Sequence, residues 1–152
     1  MRVDPAARAI AALLLTVAAL LAGAADAAAQ SRSIFANPTQ VSLPIPGAAD
    51  FDFGYVQYQG TVQLSIDVPG TSNWAIHVHI DDPDLGFGKP VGDLLYQMAG
   101  GAGWSSATPG EQLLTSGSGD ATIQVEIAMA VDWATDSPND YAGTLVFRVI
   151  AN

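Results

Sequence analysis

Beyond residue 50, apolar and polar residues alternate with period two over several runs, and no segment keeps helical spacing. Val62, Leu64, Ile66 and Val68 alternate with Thr61, Gln63, Ser65 and Asp67, which predicts a strand with one buried face. Pro69-Gly70 ends it in a turn. Trp74, Ile76, Val78 and Ile80 form the inward set of the next strand, closed by Asp82-Pro83 and the Gly/Pro run over 86–90. The strongest pattern covers 121–131, where Ile123, Val125, Ile127, Met129 and Val131 face in and Thr122, Gln124 and Glu126 face out. A last strand within 141–150 buries Leu145, Phe147 and Val149. Phe51 and Phe53 show the same alternation up to Gly54.

Other stretches are less regular. Residues 94–98 read as a strand or a single helical turn, and 111–115 as a short strand followed by a Ser/Gly turn over 116–119. Gly100-Gly101-Ala102-Gly103 is a loop, from which Trp104 folds back onto the core. Residues 31–50 are broken by Pro38, Pro44 and Pro46. They predict a leader with one edge segment over 41–45, where Val41, Leu43 and Ile45 share a face. About seven to eight strands at this spacing predict an all-β fold, an antiparallel two-layer sandwich, with a closed barrel as the alternative.

The first thirty residues differ from the rest. Arg2 and Arg8 flank a basic start, residues 9–21 (AIAALLLTVAALL) are apolar, and Ala25-Asp26-Ala27-Ala28-Ala29-Gln30 is rich in small residues. That is the pattern of a cleavable export signal over 1–29. The apolar run is shorter than the about twenty residues a membrane-spanning helix needs. The expected organisation is therefore signal 1–29, leader 30–50 and sandwich 51–152, about 120 exported residues forming one domain. No second apolar stretch follows, so no membrane insertion is expected once the signal is removed. The place of action is periplasmic, cell-surface or extracellular.

Charge and cysteine content narrow the chemistry. Arg32, Lys89 and Arg148 are the cations after residue 30, whereas only Asp4 and Asp26 of the fifteen acidic residues precede it. Such a surface repels phosphate backbones and anionic lipids, so nucleic acid is excluded as a partner. With no cysteine in the chain, thiol nucleophiles, thiolate metal sites and disulfides are all absent.

Asp52-Phe53-Gly54, followed by Thr61-Val62-Gln63-Leu64-Ser65-Ile66, resembles the opening of bacterial immunoglobulin-like surface domains. Ser137-Pro138-Asn139-Asp140-Tyr141-Ala142-Gly143-Thr144-Leu145 resembles the corner that leads into their last strands, with Asn139-Asp140 where glycine is common. The resemblance implies an immunoglobulin-like sandwich with Tyr141 as a tyrosine corner. By analogy it implies adhesive or structural roles.

Candidate chemistry is confined to a few places. His77, His79 and Asp81 share one strand face by period two, a candidate zinc or copper set if further ligands arrive from elsewhere. The competing reading is a polar, solvent-facing strand. Asp81, Asp82 and Asp84 form one acidic loop and Asp132, Asp136 and Asp140 another. The two are expected at opposite ends of the sandwich, with their carboxylates capping turns and calcium binding as the alternative. Among the aromatic residues (Trp74, Trp104, Trp133, Tyr55, Tyr58, Tyr96), Trp104 and Trp133 are the candidates for stacking on a sugar, since both sit in loops. No residues are assigned to catalysis. No nucleophile-elbow motif is present, and Gly100 to Gly103 has no following Lys-Ser/Thr to make a phosphate cradle.

The expected function is a non-catalytic exported structural or binding domain that needs no cofactor, with other surface proteins or glycans as partners and self-assembly as a further possibility. Two alternatives remain open. One is a fibre subunit that adds its N-terminal segment to a neighbour's sheet. The other is a metal-dependent enzyme or metal-binding protein using His77 and His79.

Overall fold

A computed structural model describes residues 31–136 and 141–152. Residues 1–30, which hold the segment read as an export signal, and Ser137-Pro138-Asn139-Asp140 lie outside the described residues. The chain order is β1 (Ser33–Asn37), a short helix α1 (Ala48–Phe53), β2 (Tyr55–Gln57), β3 (Val62–Asp67) and β4 (Asn73–Ile80). A 3-10 turn at Val91–Asp93 leads into β5 (Leu94–Met98), then β6 (Ser105–Ser106), β7 (Gln112–Ser118), β8 (Ala121–Ala130) and β9 (Leu145–Ala151).

The strands form two antiparallel sheets. The six-stranded sheet runs β1-β3-β8-β5-β6, with β2 also paired to β8, and the three-stranded sheet runs β7-β4-β9. One hydrophobic core draws on both, as the all-β reading requires. In the first sheet Leu64 lies opposite Ile123, and in the second Ile76 lies opposite Val149 and Val78 opposite Phe147. Leu64, Ile76, Val78 and Val125 are fully buried, so the period-two reading placed the inward faces of β3, β4 and β8 correctly. Ile123, Leu145, Phe147 and Val149 pack against the core while remaining only partly buried. Residues 94–98 are a strand preceded by the 3-10 turn, which accounts for their double signal. Tyr96 points inward, and its hydroxyl donates to Gln112 Oε1 of the opposite sheet at 2.5 Å, so it takes no part in an exposed aromatic surface.

Four expectations are corrected. The strand of the leader is Ser33–Asn37, paired with β3, rather than 41–45. Pro44 interrupts the later run and removes an N–H that a ladder needs, so Val41 and Leu43 pack on the core without joining a sheet. The compact unit runs from Arg32 to Asn152. Phe51 and Phe53 belong to a helix. Asp50 accepts the Gly47 N–H at 2.8 Å, and Gly54, in the left-handed region at φ 84°, closes the turn onto the Asp50 carbonyl. Two residues apart on a helix point to different sides, so Phe51 is buried while Phe53 is 78% exposed. Residues 116–118 continue β7 instead of turning, and the reversal comes at Gly119-Asp120. Trp104 is no core residue: it is half-buried against the ring of Tyr55, which β2 turns away from the core.

Candidate functional site

The sandwich is open along one side. β9 pairs with β4, and among the described residues no strand pairs with its other edge. β1, the edge of the larger sheet, approaches β9 without pairing to it. Between them lies a cavity of about 720 Å³. Ile127 and Met129 of β8 and Leu145 and Phe147 of β9 line its apolar floor, and the proline-rich connection brings Val41 and Leu43 over it. This seam is why the inward residues of β9 are incompletely buried. Sequence periodicity identifies an inward face, but it says nothing about whether a strand will find a second neighbour.

Beside the seam, the loops after β4 and β8 are tied together by a lysine. Lys89 is 3% exposed, and its ammonium donates to Asp93 Oδ2 at 2.9 Å and to Asp136 Oδ2 at 2.7 Å. It also sits 5.3 Å over the ring of Tyr141. Burial by itself lowers the pKa of Lys89, but its hydrogen bonds to the two carboxylates and their charges more than reverse this, leaving it above the ordinary lysine value. The loops expected at opposite ends thus meet at the same end, where Lys89, from the loop that carries Asp81, Asp82 and Asp84, holds Asp136 of the other. The other carboxylates are engaged locally: Asp82 Oδ2 accepts from the Thr144 N–H at 2.6 Å, and Asp84 Oδ1 from the Gly86 N–H at 2.8 Å. Asp140 lies outside the described residues.

The histidines lie on the outer face of the three-stranded sheet, as period two requires, yet they do not converge. His77 Nδ1 lies 3.4 Å from Glu111 Oε2, whose other oxygen accepts from Arg148 Nη1 at 2.8 Å. That bond to Arg148 holds the Glu111 carboxyl below its ordinary pKa. His79 Nε2 turns to Asp81 Oδ1 at 3.1 Å. The two imidazoles thus turn to different carboxylates, His77 through Nδ1 and His79 through Nε2. Among the described residues no group of three or more His, Asp or Glu side chains gathers as a metal site, and His77, His79 and Asp81 lie in two separate pairs, His77 with Glu111 and His79 with Asp81. Glu111 and Arg148 escaped the sequence reading because only strand register brings Arg148 opposite His77.

The two candidate tryptophans come to either side of the α1–β2 corner. Trp133 stacks on Phe51 with ring centroids 4.5 Å apart and planes 26° apart, and its Nε1–H donates to Asp52 Oδ1 at 3.1 Å. It remains 61% exposed. Trp104 meets Tyr55 at 5.9 Å, on the face of the large sheet that also carries the fully buried Ala128. Reading Phe51 and Phe53 as a strand concealed this corner. The helix is what presents Phe51 and Asp52 to Trp133.

Fold and site define an all-β, two-sheet protein with an open apolar seam and an exposed aromatic corner. Compared with known proteins, the chain matches no family model, no curated protein and no solved structure.

Proposed function

We propose that this protein is a non-catalytic, exported structural domain of the periplasm or cell surface that assembles with its own copies by strand addition at the seam. The observation that carries this reading is the juxtaposition of an unpaired β9 edge with an apolar cavity of about 720 Å³. An unpaired edge rich in β-branched and aromatic residues is a template for another strand. The order β1-β3-β8-β5 beside β7-β4-β9 resembles the A-B-E-D and C′-C-F order of an immunoglobulin-like sandwich with no partner on the far side of F. It departs from that order in one respect, since the strand at the D position precedes the one at C′ along the chain.

The added segment is the N-terminal one. Val41, Leu43 and Ile45 alternate like a strand but hold no strand position in their own chain, and Pro46-Gly47 separates them from α1. Exchange of residues 31–46 between copies re-forms the β1–β3 pairing and the packing of Val41 and Leu43 between chains, and lays residues 41–45 along the neighbour's unpaired β9 edge. The first two contacts already exist within one chain, which makes such swapping a low-cost route to assembly. The basic, apolar, small-residue pattern of the first thirty residues supports an exported location.

A disulfide test is direct because the chain has no cysteine of its own. Phe35 and Ser65 are register partners on β1 and β3. Oxidised Phe35→Cys/Ser65→Cys protein is expected to give a ladder of covalent oligomers on a non-reducing gel. A band of intramolecularly bridged monomer at every protein concentration overturns the reading.

A further inference from the structure

We propose that Trp133 is the stacking platform of a binding site for neutral, hydroxyl-rich pyranose oligosaccharides. Two contacts fix this indole: Phe51 occupies one face at 4.5 Å, and Asp52 Oδ1 holds the Nε1–H at 3.1 Å. The first sets the plane of the ring and the second its rotation within that plane. A side chain that is 61% exposed is thereby immobilised before any ligand arrives. Ordering a rotamer-rich group in advance removes a cost that binding would otherwise carry. The face opposite Phe51 is left open.

The chemistry of the surroundings selects the ligand. The π face is electron-rich and attracts the weakly positive C–H face of a pyranose ring. Asp52 and Asp132, both exposed and adjacent to the aromatic pair in the chain, are hydrogen-bond acceptors and match the donor hydroxyls around a sugar's rim. An apolar protein surface would strip water from these carboxylates and return no donors. An anionic ligand meets a chain of net charge −10. A quaternary ammonium is best enclosed by several aromatic faces, whereas Phe51 lies beneath Trp133 in a stack, leaving one flat surface. Phe53, 78% exposed on the same helix, and the Tyr55–Trp104 pair on the other side of the corner are further aromatic groups at this corner. A chain of several sugar rings has more of them to engage than a single ring has. The site uses α1 and the loop after β8, so it stands or falls independently of assembly at the seam.

The test is titration of the purified exported protein with cellohexaose and with chitohexaose, followed by calorimetry and tryptophan fluorescence, with choline as competitor. Saturable binding of at least one hexasaccharide is expected. Trp133→Leu keeps an apolar cover over Phe51 but presents no flat face, so it should weaken binding by about tenfold or more. Its circular dichroism spectrum should match the parent's, and Phe87→Ala, which removes an exposed ring elsewhere, should bind like the parent. Absence of saturable binding to both sugars, undiminished binding by folded Trp133→Leu, or displacement by choline overturns the proposal.

Discussion

The indole of Trp74 occupies the space that a side chain on Gly117 would need. The two residues are register partners on β4 and β7, and a β-carbon at Gly117 would lie 2.6 Å from Trp74 Cζ2. The ring continues past this point to donate its Nε1–H to the Gly119 carbonyl at 2.7 Å. One glycine thus lets the largest side chain of β4 lie flat within the sheet interface, and the next supplies its hydrogen-bond acceptor.

Gly117→Ala should therefore destabilise the fold by about 1–3 kcal/mol, the usual cost of overpacking. Urea denaturation followed by tryptophan fluorescence measures it. Alanine normally favours a strand over glycine, so a neutral or stabilising result would show that the ring has room to move.

Burial predicts a gradient from the centre of the core to the seam. Leu64→Ala should cost about 2–5 kcal/mol, because Leu64 is fully buried and leaves a cavity. Phe147→Ala should cost less despite the larger deletion, since Phe147 already borders the open cavity. Equal losses at the two positions in dilute protein would argue that the seam is closed in solution.

Lys89 should set the alkaline limit of stability. Its folded pKa lies above the ordinary value, so its contribution is complete below the unfolded pKa of about 10.4 and is lost as pH rises through the folded value. Chemical denaturation from pH 8 to 12 should show that decline in the parent and a shallower one in Lys89→Met. At pH 7, Lys89→Met should cost about 3–5 kcal/mol, because the buried Asp136 carboxylate is left without its cation. Adding Asp136→Asn should recover part of the loss.

The same clamp makes a prediction about metals. Asp136 is held by Lys89, and Asp82 and Asp84 by backbone N–H groups, so among the described residues these carboxylates are already engaged rather than free to converge on an ion. Thermal melts in millimolar calcium and in chelator should coincide. A rise of several degrees with calcium that disappears in Asp82→Asn would contradict this.

Local alternation by itself determined the inward faces of β3, β4 and β8, and it put both histidines on one outer face. A strand buries every second side chain whatever its neighbours are, so that information is carried within eight or ten consecutive residues. The helix at Ala48–Phe53 was not legible in this way, because a six-residue helix capped by Gly47 and Gly54 is too short to show its period. Nor was β1, whose Ile34 and Ala36 are the only apolar pair on its inward side.

Only the tertiary structure decided what these elements do together. It brought Asp136 to Lys89 across 47 residues and Trp133 to Asp52 across 81, and among the described residues it left β9 without a second neighbour. Each of these depends on which strands pair and in what register, a choice made by burial summed over the whole core rather than by any short run of residues. The strands were written locally. The seam, the lysine clamp and the aromatic corner exist because two sheets fold over one core.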